Sequence, residues 1–305
     1  MATFPTPLGE KAAIRVLDPT VGIKDFSELG LTGLNLEKVE RGLKKPYGMV
    51  LITGPTGSGK TTTLYAFLQK LNNETVNIVS LEDPVEYFIS GINQSQVHPE
   101  IGYDFASGLR QILRQDPDII MVGEMRDTET ASLAVQAALT GHIVLSTLHT
   151  NNSLGVIPRL IDMKVEPFLL PSSLNLMIAQ RLFGKLCENC KKEEIASPEL
   201  QKIIAKNLEN LPEEIASKYK PPYKIYHAPG CNVCKGKGIL GRIAIFEVLE
   251  MTPNLEEIII SNPTNQKLLE EAKRQKMITM RQDGILKALE GQVLIEEILG
   301  GTEEY

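Results

Sequence analysis

With 305 residues, 42% hydrophobic and 23% charged, the chain can bury a sizeable core and divide into more than one unit, as an ordinary soluble globular protein does. Its net charge of −6 supplies no global attraction to nucleic acid or acidic lipid, although a local basic patch stays compatible with it. No apolar run approaches the length of a membrane span, and "MATFPTPLGEKAA" holds no apolar signal core, so a reducing cytoplasm is the expected compartment.

Taken in chain order, "EKAAIRVL" (Glu10–Leu17) reads as a strand with no local partner, and "VGIKDFSELGL" leads into a helical stretch, Leu36–Leu43. From Tyr47 the pattern changes. "YGMVLITG", "NIVSLEDP", "DIIMVGE" and "HIVLSTLH" are short, mostly apolar runs, separated by helical stretches at Lys60–Leu71, Asp104–Arg114 and Thr128–Leu139. Such alternation, with both strand faces apolar, predicts an α/β fold with a mostly parallel sheet covered on both sides. Ligands of these sheets bind at the carboxyl ends of the strands, which puts Glu86 and Glu124, each just beyond a strand, on one rim. Residues 152–182 read as helical. A cysteine region follows over 187–250, then "GILGRIAIFEVLEM" as strand-turn-strand, and a helical tail from Leu255.

The most informative stretch is "GPTGSGKT", Gly54–Thr61, which fits G-x-x-x-x-G-K-[ST] and lies between a predicted strand and a predicted helix. Gly54, Pro55, Thr56, Gly57, Ser58, Gly59, Lys60, Thr61 and Thr62 are therefore the candidate nucleotide-binding residues. The glycines let backbone N–H groups face an anion, and the helix N-terminus adds partial positive charge. Lys60 is expected on the β- and γ-phosphates and the Thr61 hydroxyl on Mg²⁺. Hydrolysis needs an oriented water and an acidic metal partner as well. "LEDPVE" offers Glu82, Asp83 and Glu86, and "GEMRD" offers Glu124; solvated acids at strand ends are the plain alternative for each.

The four cysteines form two C-x-x-C pairs, Cys187/Cys190 and Cys231/Cys234. In a reducing compartment this pattern favours thiolate metal ligation over disulfides, and four thiolates suit a structural zinc with no open position. The gap between the pairs is longer than in compact zinc ribbons. His142 and His149 flank the run "IVLSTL" and are functional candidates. His98 reads as exposed, and His227 as a surface residue near Cys231. Arg110, Arg114 and Arg126 surround the acidic strand and either answer γ-phosphate loss, pair between subunits, or tie helix to sheet; Arg159 and Arg181 carry the same choices less strongly.

"GPTGSGKTTTLY", "LEDPVEY", "LRQILRQDPDIIMVGEMRD" and "TGHIVLSTLHTNNS" stand in the order found in secretion ATPases of the type II secretion and type IV pilus class. The resemblance continues through "RLIDM", "AQRL", the cysteine pairs, "GRIAIFEVLEM" and "MRQDGILKALEG", covering nearly the whole chain from about Gly9. It implies a RecA-like P-loop ATPase core followed by a tetracysteine zinc element and a C-terminal helical region. The implied partition is 1–18, 19–185, 186–250 and 251–305, the first being the remnant of an N-terminal domain. Lys60 and Thr61 match the phosphate-loop residues, Glu86 the general-base position of the Asp box, and Glu124 the acid that holds Mg²⁺ through water. His142 and His149 match the two histidines of the His box, with His149 facing the nucleotide. ATP, Mg²⁺ and Zn²⁺ are the implied cofactors.

The paired cysteines place the chain on the assembly side of the family, whose retraction motors generally lack them. By the same resemblance the working form is a homo-hexamer, peripheral at the cytoplasmic face of the inner membrane, acting on an inner-membrane platform protein and not on nucleic acid. The segment resembling "FPTPLGEKAAIRVL" ends a preceding domain in the family that offers arginines to the neighbouring nucleotide. Arg15 is the one arginine in that segment here, so this chain alone is expected to be mostly monomeric and slow. A DNA or conjugation motor is one alternative, against which the acidic charge and the lack of an aromatic-plus-basic stretch speak. A non-hydrolysing nucleotide-binding scaffold is another, against which the intact loop, Glu86 and Glu124 speak.

Overall fold

A computed structural model describes residues 2–13, 24–209 and 211–303. Its centre is a seven-stranded sheet built from β3 (Gly48–Thr53), β4 (Ile78–Glu82), β5 (Asn93–Gln96), β6 (Ile119–Val122), β7 (Ile143–Leu148), β8 (Leu174–Leu186) and β11 (Ile239–Glu250), in the spatial order β11-β8-β3-β7-β6-β4-β5. All neighbouring pairs are parallel except β11 with β8. Every residue of β3, β4 and β6 is buried, because helices cover both faces. The alternation of side chains decides which helices each residue meets. Met49, Leu51, Val79, Leu81, Ile120 and Val122 share one cluster with α4 (Phe105–Ile112), α5 (Thr128–Leu139), α6 (Val156–Asp162) and α7 (Leu170–Ser173). Val50, Ile52, Ile78, Ile119 and Met121 face the other way, toward α1 (Phe26–Leu29), α2 (Gly33–Leu43) and α3 (Lys60–Leu71). Helix α5 begins where Asp127 accepts the Thr130 N–H at 2.8 Å and buries Ala131, Ala134, Val135 and Ala138, the spacing of one helical face.

A third cluster joins the ends of β8 and β11 to α8 (Pro198–Glu209), to the hairpin of β9 (Lys192–Ile195) and β10 (Lys224–His227), and to α12 (Met280–Leu289) and α13 (Ile295–Gly301). Between α8 and β10 lies the short helix α9 (Glu213–Ala216). The buried Asp283 accepts the Phe246 N–H at 2.8 Å, while Lys287 donates to Ala244 O at 2.9 Å and to Asp283 at 2.5 Å. The "MRQDGILKALEG" stretch thus fastens α12 to β11 through an ion pair in which each member also bonds the β11 backbone, the kind of support a buried ion pair requires.

Three expectations need correction. Residues 152–182 are helical only in part: after α7 the chain runs as β8, paired on both sides. Leu, Met, Ala and Gln are good helix formers, yet a strand buried on both faces shows no period-two pattern, and pairing overrides propensity. "GILGRIAIFEVLEM" is one strand with a register shift between Ile239 and Arg242, and Gly241, at φ +80°, supports a bulge there in place of a turn. The N-terminal strand does have a local partner. β1 (Ala2–Thr6) pairs antiparallel with β2 (Gly9–Ala13) in a hairpin whose Phe4 is 67% exposed. Ile14–Leu17, including Arg15, lie outside the described residues. β11 (Ile239–Glu250) forms an outer strand of the central sheet.

The C-terminal helices α10 (Pro253–Ser261) and α11 (Asn265–Arg274) meet at Glu271, which is 1% exposed. Thr252, Asn254, Arg274 and Gln275 all donate to it, at 2.5–2.8 Å. Burial pushes its carboxyl up, but Arg274, Thr252, Gln275 and Asn254 together outweigh burial and hold it at about 2, below the ordinary 4.5. A depressed carboxylate stabilises the fold above its unfolded pKa, and that stabilisation is lost as pH falls through the folded value. Glu271→Gln is therefore expected to lower stability at pH 7 by about 1–3 kcal/mol. The difference should shrink as pH falls from 4.5 toward 2; urea unfolding of both proteins across that range measures it.

Candidate active site

The carboxyl ends of β3, β4, β6 and β7 open onto one cleft of about 590 Å³, a volume suited to a nucleotide. Thr56–Thr62 come from the turn after β3, Glu82, Asp83 and Glu86 from the end of β4, Glu124 and Arg126 from the turn after β6, and His149 from the end of β7. The parallel register places them together: Thr53 stands beside Leu148, and Leu81 beside Val122. The loop itself is held in shape from β8. Gln180, 1% exposed, accepts from Thr63 Oγ1 at 2.8 Å and donates to Ser58 O at 2.8 Å. Gly54 sits at φ +149°, where a Cβ would stand 2.4 Å from Gln180 O, so a side chain there would displace the loop from the sheet.

Lys60 Nζ donates to the Gly54 and Pro55 carbonyls at 2.8 and 3.2 Å. Burial lowers its pKa, and the negative charge of Glu124 opposes that shift. Glu124 pairs with Arg126 at 2.5 Å and lies 3.2 Å from His149 Nε2. The hydrogen bond to Glu124 raises the Arg126 pKa against burial, so this guanidinium stays charged. The Ser58 hydroxyl is buried and finds no hydrogen-bond partner among the described residues. A curled loop with an orphan hydroxyl, a lysine and a helix N-terminus fits an anionic ligand. The Thr61 hydroxyl and the Glu124 carboxylate are the oxygen donors that a hard cation such as Mg²⁺ takes.

At the far end of β8, Cys187, Cys190, Cys231 and Cys234 bring their sulfurs within 4.8 Å of one another. Three of the separations are 3.8–3.9 Å, against the ~3.8 Å edge of a tetrahedron with Zn–S bonds of about 2.3 Å. Burial pushes the Cys190 thiol up to about 12, whereas N–H donation from the Cys234 backbone holds Cys231 down to about 6. Four thiols so close cannot all ionise unless a cation sits among them. The cluster could hold a metal.

Other candidates lie elsewhere. His142 is at the opposite end of β7 from His149 and contacts Ala137 O at 2.9 Å. His98 is exposed beside Glu100, and His227 faces Glu194 across the β9–β10 hairpin. Arg110 pairs with Glu129, linking α4 to α5, and Arg181 donates to Gly301 O. Arg114 and Arg159 are exposed. Two cleft features escaped the sequence reading. Arg242, from the bulged start of β11, and Leu182, from β8, line the cleft beside the loop. The quoted "GR" and "AQRL" were the available signals for Arg242, Gln180 and Leu182, but only the pairing of β8 with β3 and β11 brings them there.

The sequence matches the family described as "Type II/IV secretion system protein" over residues 1–300. It is 46% identical over 302 residues to the type IV pilus assembly ATPase PilB of Myxococcus xanthus, covering 99% of this chain and 52% of that protein. It is 45% identical over 304 residues to the type II secretion system ATPase E of Vibrio cholerae, covering 100% of this chain and 58% of that one. The chain thus spans about half the length of these curated relatives. Among solved structures, the pilus retraction motor PilT with bound ADP superposes with a TM-score of 0.71 at 28% identity, covering 99% of this chain and 73% of that one. On the strength of a match along almost its whole length, the chain belongs to the type II/IV secretion system protein family.

Proposed function

We propose that this chain is the ATP-hydrolysing core of a motor that assembles a type IV pilus or a type II secretion pseudopilus. The observation that carries this reading is the meeting of Lys60, Thr61, Glu86, Glu124 and His149 in one cleft at the strand ends. In it, the Gly54–Thr61 backbone and Lys60 hold the β- and γ-phosphates, and Thr61 and Glu124 hold Mg²⁺. When bound, the cation neutralises charge that develops on the transferring phosphoryl group. Glu86 takes a proton from water as the water oxygen attacks the γ-phosphorus, and ADP leaves. His149 orients Glu124. The two curated relatives named above are an assembly and a secretion ATPase, which supports the assembly reading. The family kinship also supports a homo-hexamer as the working form, at the cytoplasmic face of the inner membrane, with a membrane platform protein as partner. No helix among the described residues is long and apolar enough to cross a membrane. The tetracysteine cluster, in this reading, holds a structural zinc.

Glu86→Gln should keep nucleotide binding and lose turnover by about 10²–10⁴, the usual loss for an acid–base group. Phosphate release by the purified variant, with Lys60→Ala as the control for contaminating ATPase, measures it, and full turnover would remove Glu86 from the role. Adding duplex DNA should leave the rate unchanged; clear stimulation would favour a nucleic-acid motor.

Metal analysis of protein purified without chelator should find one zinc per chain. A metal-free protein with all four thiols titratable would refute the site. Stripping the zinc should raise hydrogen exchange over residues 185–238, because site formation and local folding are coupled.

A further inference from the structure

We propose that Tyr65 is a positioning residue for Glu86, tying the helix that carries Lys60 and Thr61 to the segment that carries the base; this rests on the reading of Glu86 given above. Tyr65 lies in the second turn of α3 and is fully buried. Its hydroxyl has two partners on the other side of the cleft. It donates to Glu82 Oε2, and it accepts the backbone N–H of Glu86 at 3.3 Å. One hydroxyl thus joins the phosphate-binding helix to the end of β4 and to the backbone of Glu86 itself.

Glu82 gives the hydroxyl its direction. This carboxylate is 2% exposed, and its other oxygen accepts from Ser80 Oγ at 2.7 Å and from Gln94 Nε2 at 3.1 Å. The Glu86 N–H can only donate, so it takes a lone pair of the Tyr65 oxygen and the Tyr65 hydrogen is left for Glu82 Oε2. Glu82 lies in the same acidic stretch as Glu86, but both its oxygens are taken up in holding the segment, which separates the two acids by role. Burial and the charges of Glu82 and Glu86 keep Tyr65 a neutral phenol, able to donate and accept at once.

The rest of the segment is pinned in a matching way. Gln96 Oε1 accepts the Val85 N–H at 3.3 Å, Gln94 Oε1 accepts the Ile89 N–H at 2.7 Å, and Gln94 Nε2 also reaches Tyr87 O at 3.2 Å. Tyr87 stands edge-on to Tyr65, with ring centroids 4.6 Å apart. Three of the ties come from β5, an edge strand remote from the phosphates. Tyr65 is the tie that comes from the phosphate-binding helix. The Tyr65 hydroxyl therefore fixes the Glu86 backbone relative to the phosphate-binding helix, and a water base must stand within hydrogen-bond reach of its proton in the reacting complex.

Tyr65→Phe removes the hydroxyl and little else. The expected result is a nucleotide Kd and a KM for ATP within about threefold of the original and a kcat lowered about 10- to 100-fold, the pattern of a group felt in the chemical step. The discriminating measurement is a double-mutant cycle under single-turnover conditions. If Tyr65 acts through Glu86, Tyr65→Phe should cost little further once Glu86→Gln is present; residues that act as a unit are not additive. A full, additive loss in the Glu86→Gln background, or an unchanged kcat in Tyr65→Phe alone, would overturn the proposal. Should Glu86→Gln itself keep full turnover, the failure lies with the base assignment and not with Tyr65. Thermal unfolding of each variant checks folding. If Tyr65→Phe does not fold, Glu82→Gln, which keeps an acceptor for the hydroxyl but adds a donor beside Ser80 and Gln94, takes its place in the same cycle with the same two outcomes.

Discussion

The seating of β3 between β7 and β8 is the constraint on which the cleft depends. β3 is paired with both neighbours along its length, so its last residue is fixed, and the loop that follows must curl within the space that β8 leaves. Gln180 from β8 fills that space with its backbone carbonyl against Gly54 and its side chain bonded to Ser58 and Thr63. The loop is therefore templated from the strand beside it as well as from its own glycines. The Thr53 hydroxyl completes the seam, bonding Thr150 N at 2.7 Å and so fixing the chain just beyond His149. A preorganised loop needs no rearrangement when an anion arrives, and that economy is what a phosphate site requires.

On that frame the cleft gathers charge of both signs. Asp83, Glu86 and Glu124 share one cavity with Lys60, Arg126 and Arg242. A triphosphate would add several negative charges to this set, which favours a divalent ion bound with it. Glu124 is already engaged by Arg126 and His149, an arrangement that orients the carboxylate without filling all four of its lone-pair positions. Lys60 is engaged as well, by loop carbonyls that cost little to leave, since a phosphate oxygen is the stronger partner.

How much of this was legible in the residues follows from what each signal measures. The strands β3, β4, β6 and β7 announce themselves as short apolar runs bounded by glycine or charge, and the phosphate loop and acids at their ends can be placed from that alone. The failure at β8 has a physical reason: "LNLMIAQRL" is apolar without a period, and only its two paired neighbours make it a strand. The misreading of Gly241 has the same origin, because a positive-φ glycine serves a bulge as readily as a turn. With β8 unread and β11 split by an expected turn, Gln180 and Arg242 could not be placed at the cleft. Tyr65 was in view throughout within "TTTLY", but nothing in a helical tyrosine signals that its hydroxyl reaches an acid on the next strand.

The two misread strands also explain why the tetracysteine cluster sits where it does. The tetracysteine element is inserted between β8 and β11, the antiparallel pair at one side of the sheet. Cys187 follows the last residue of β8, and its N–H donates to Gly238 O at 2.9 Å, just ahead of β11. The next pairings are Leu186 with Ile239 and, past the bulge, Gly184 with Arg242. A long connection between paired strands leaves their ends free to fray, since closing it costs entropy that a few ladder bonds recover poorly. A cross-link at the mouth of that connection shortens the effective loop to a few residues. Four thiolates on one metal would supply such a cross-link without a disulfide, and the four sulfurs stand within 4.8 Å of one another at that mouth. The bulge that brings Arg242 to the cleft lies only a few residues along β11 from this cluster. A cross-link there would hold that register, and with it the placement of Arg242 and Leu182, from the cysteine end of β8 and β11 as well as from the sheet.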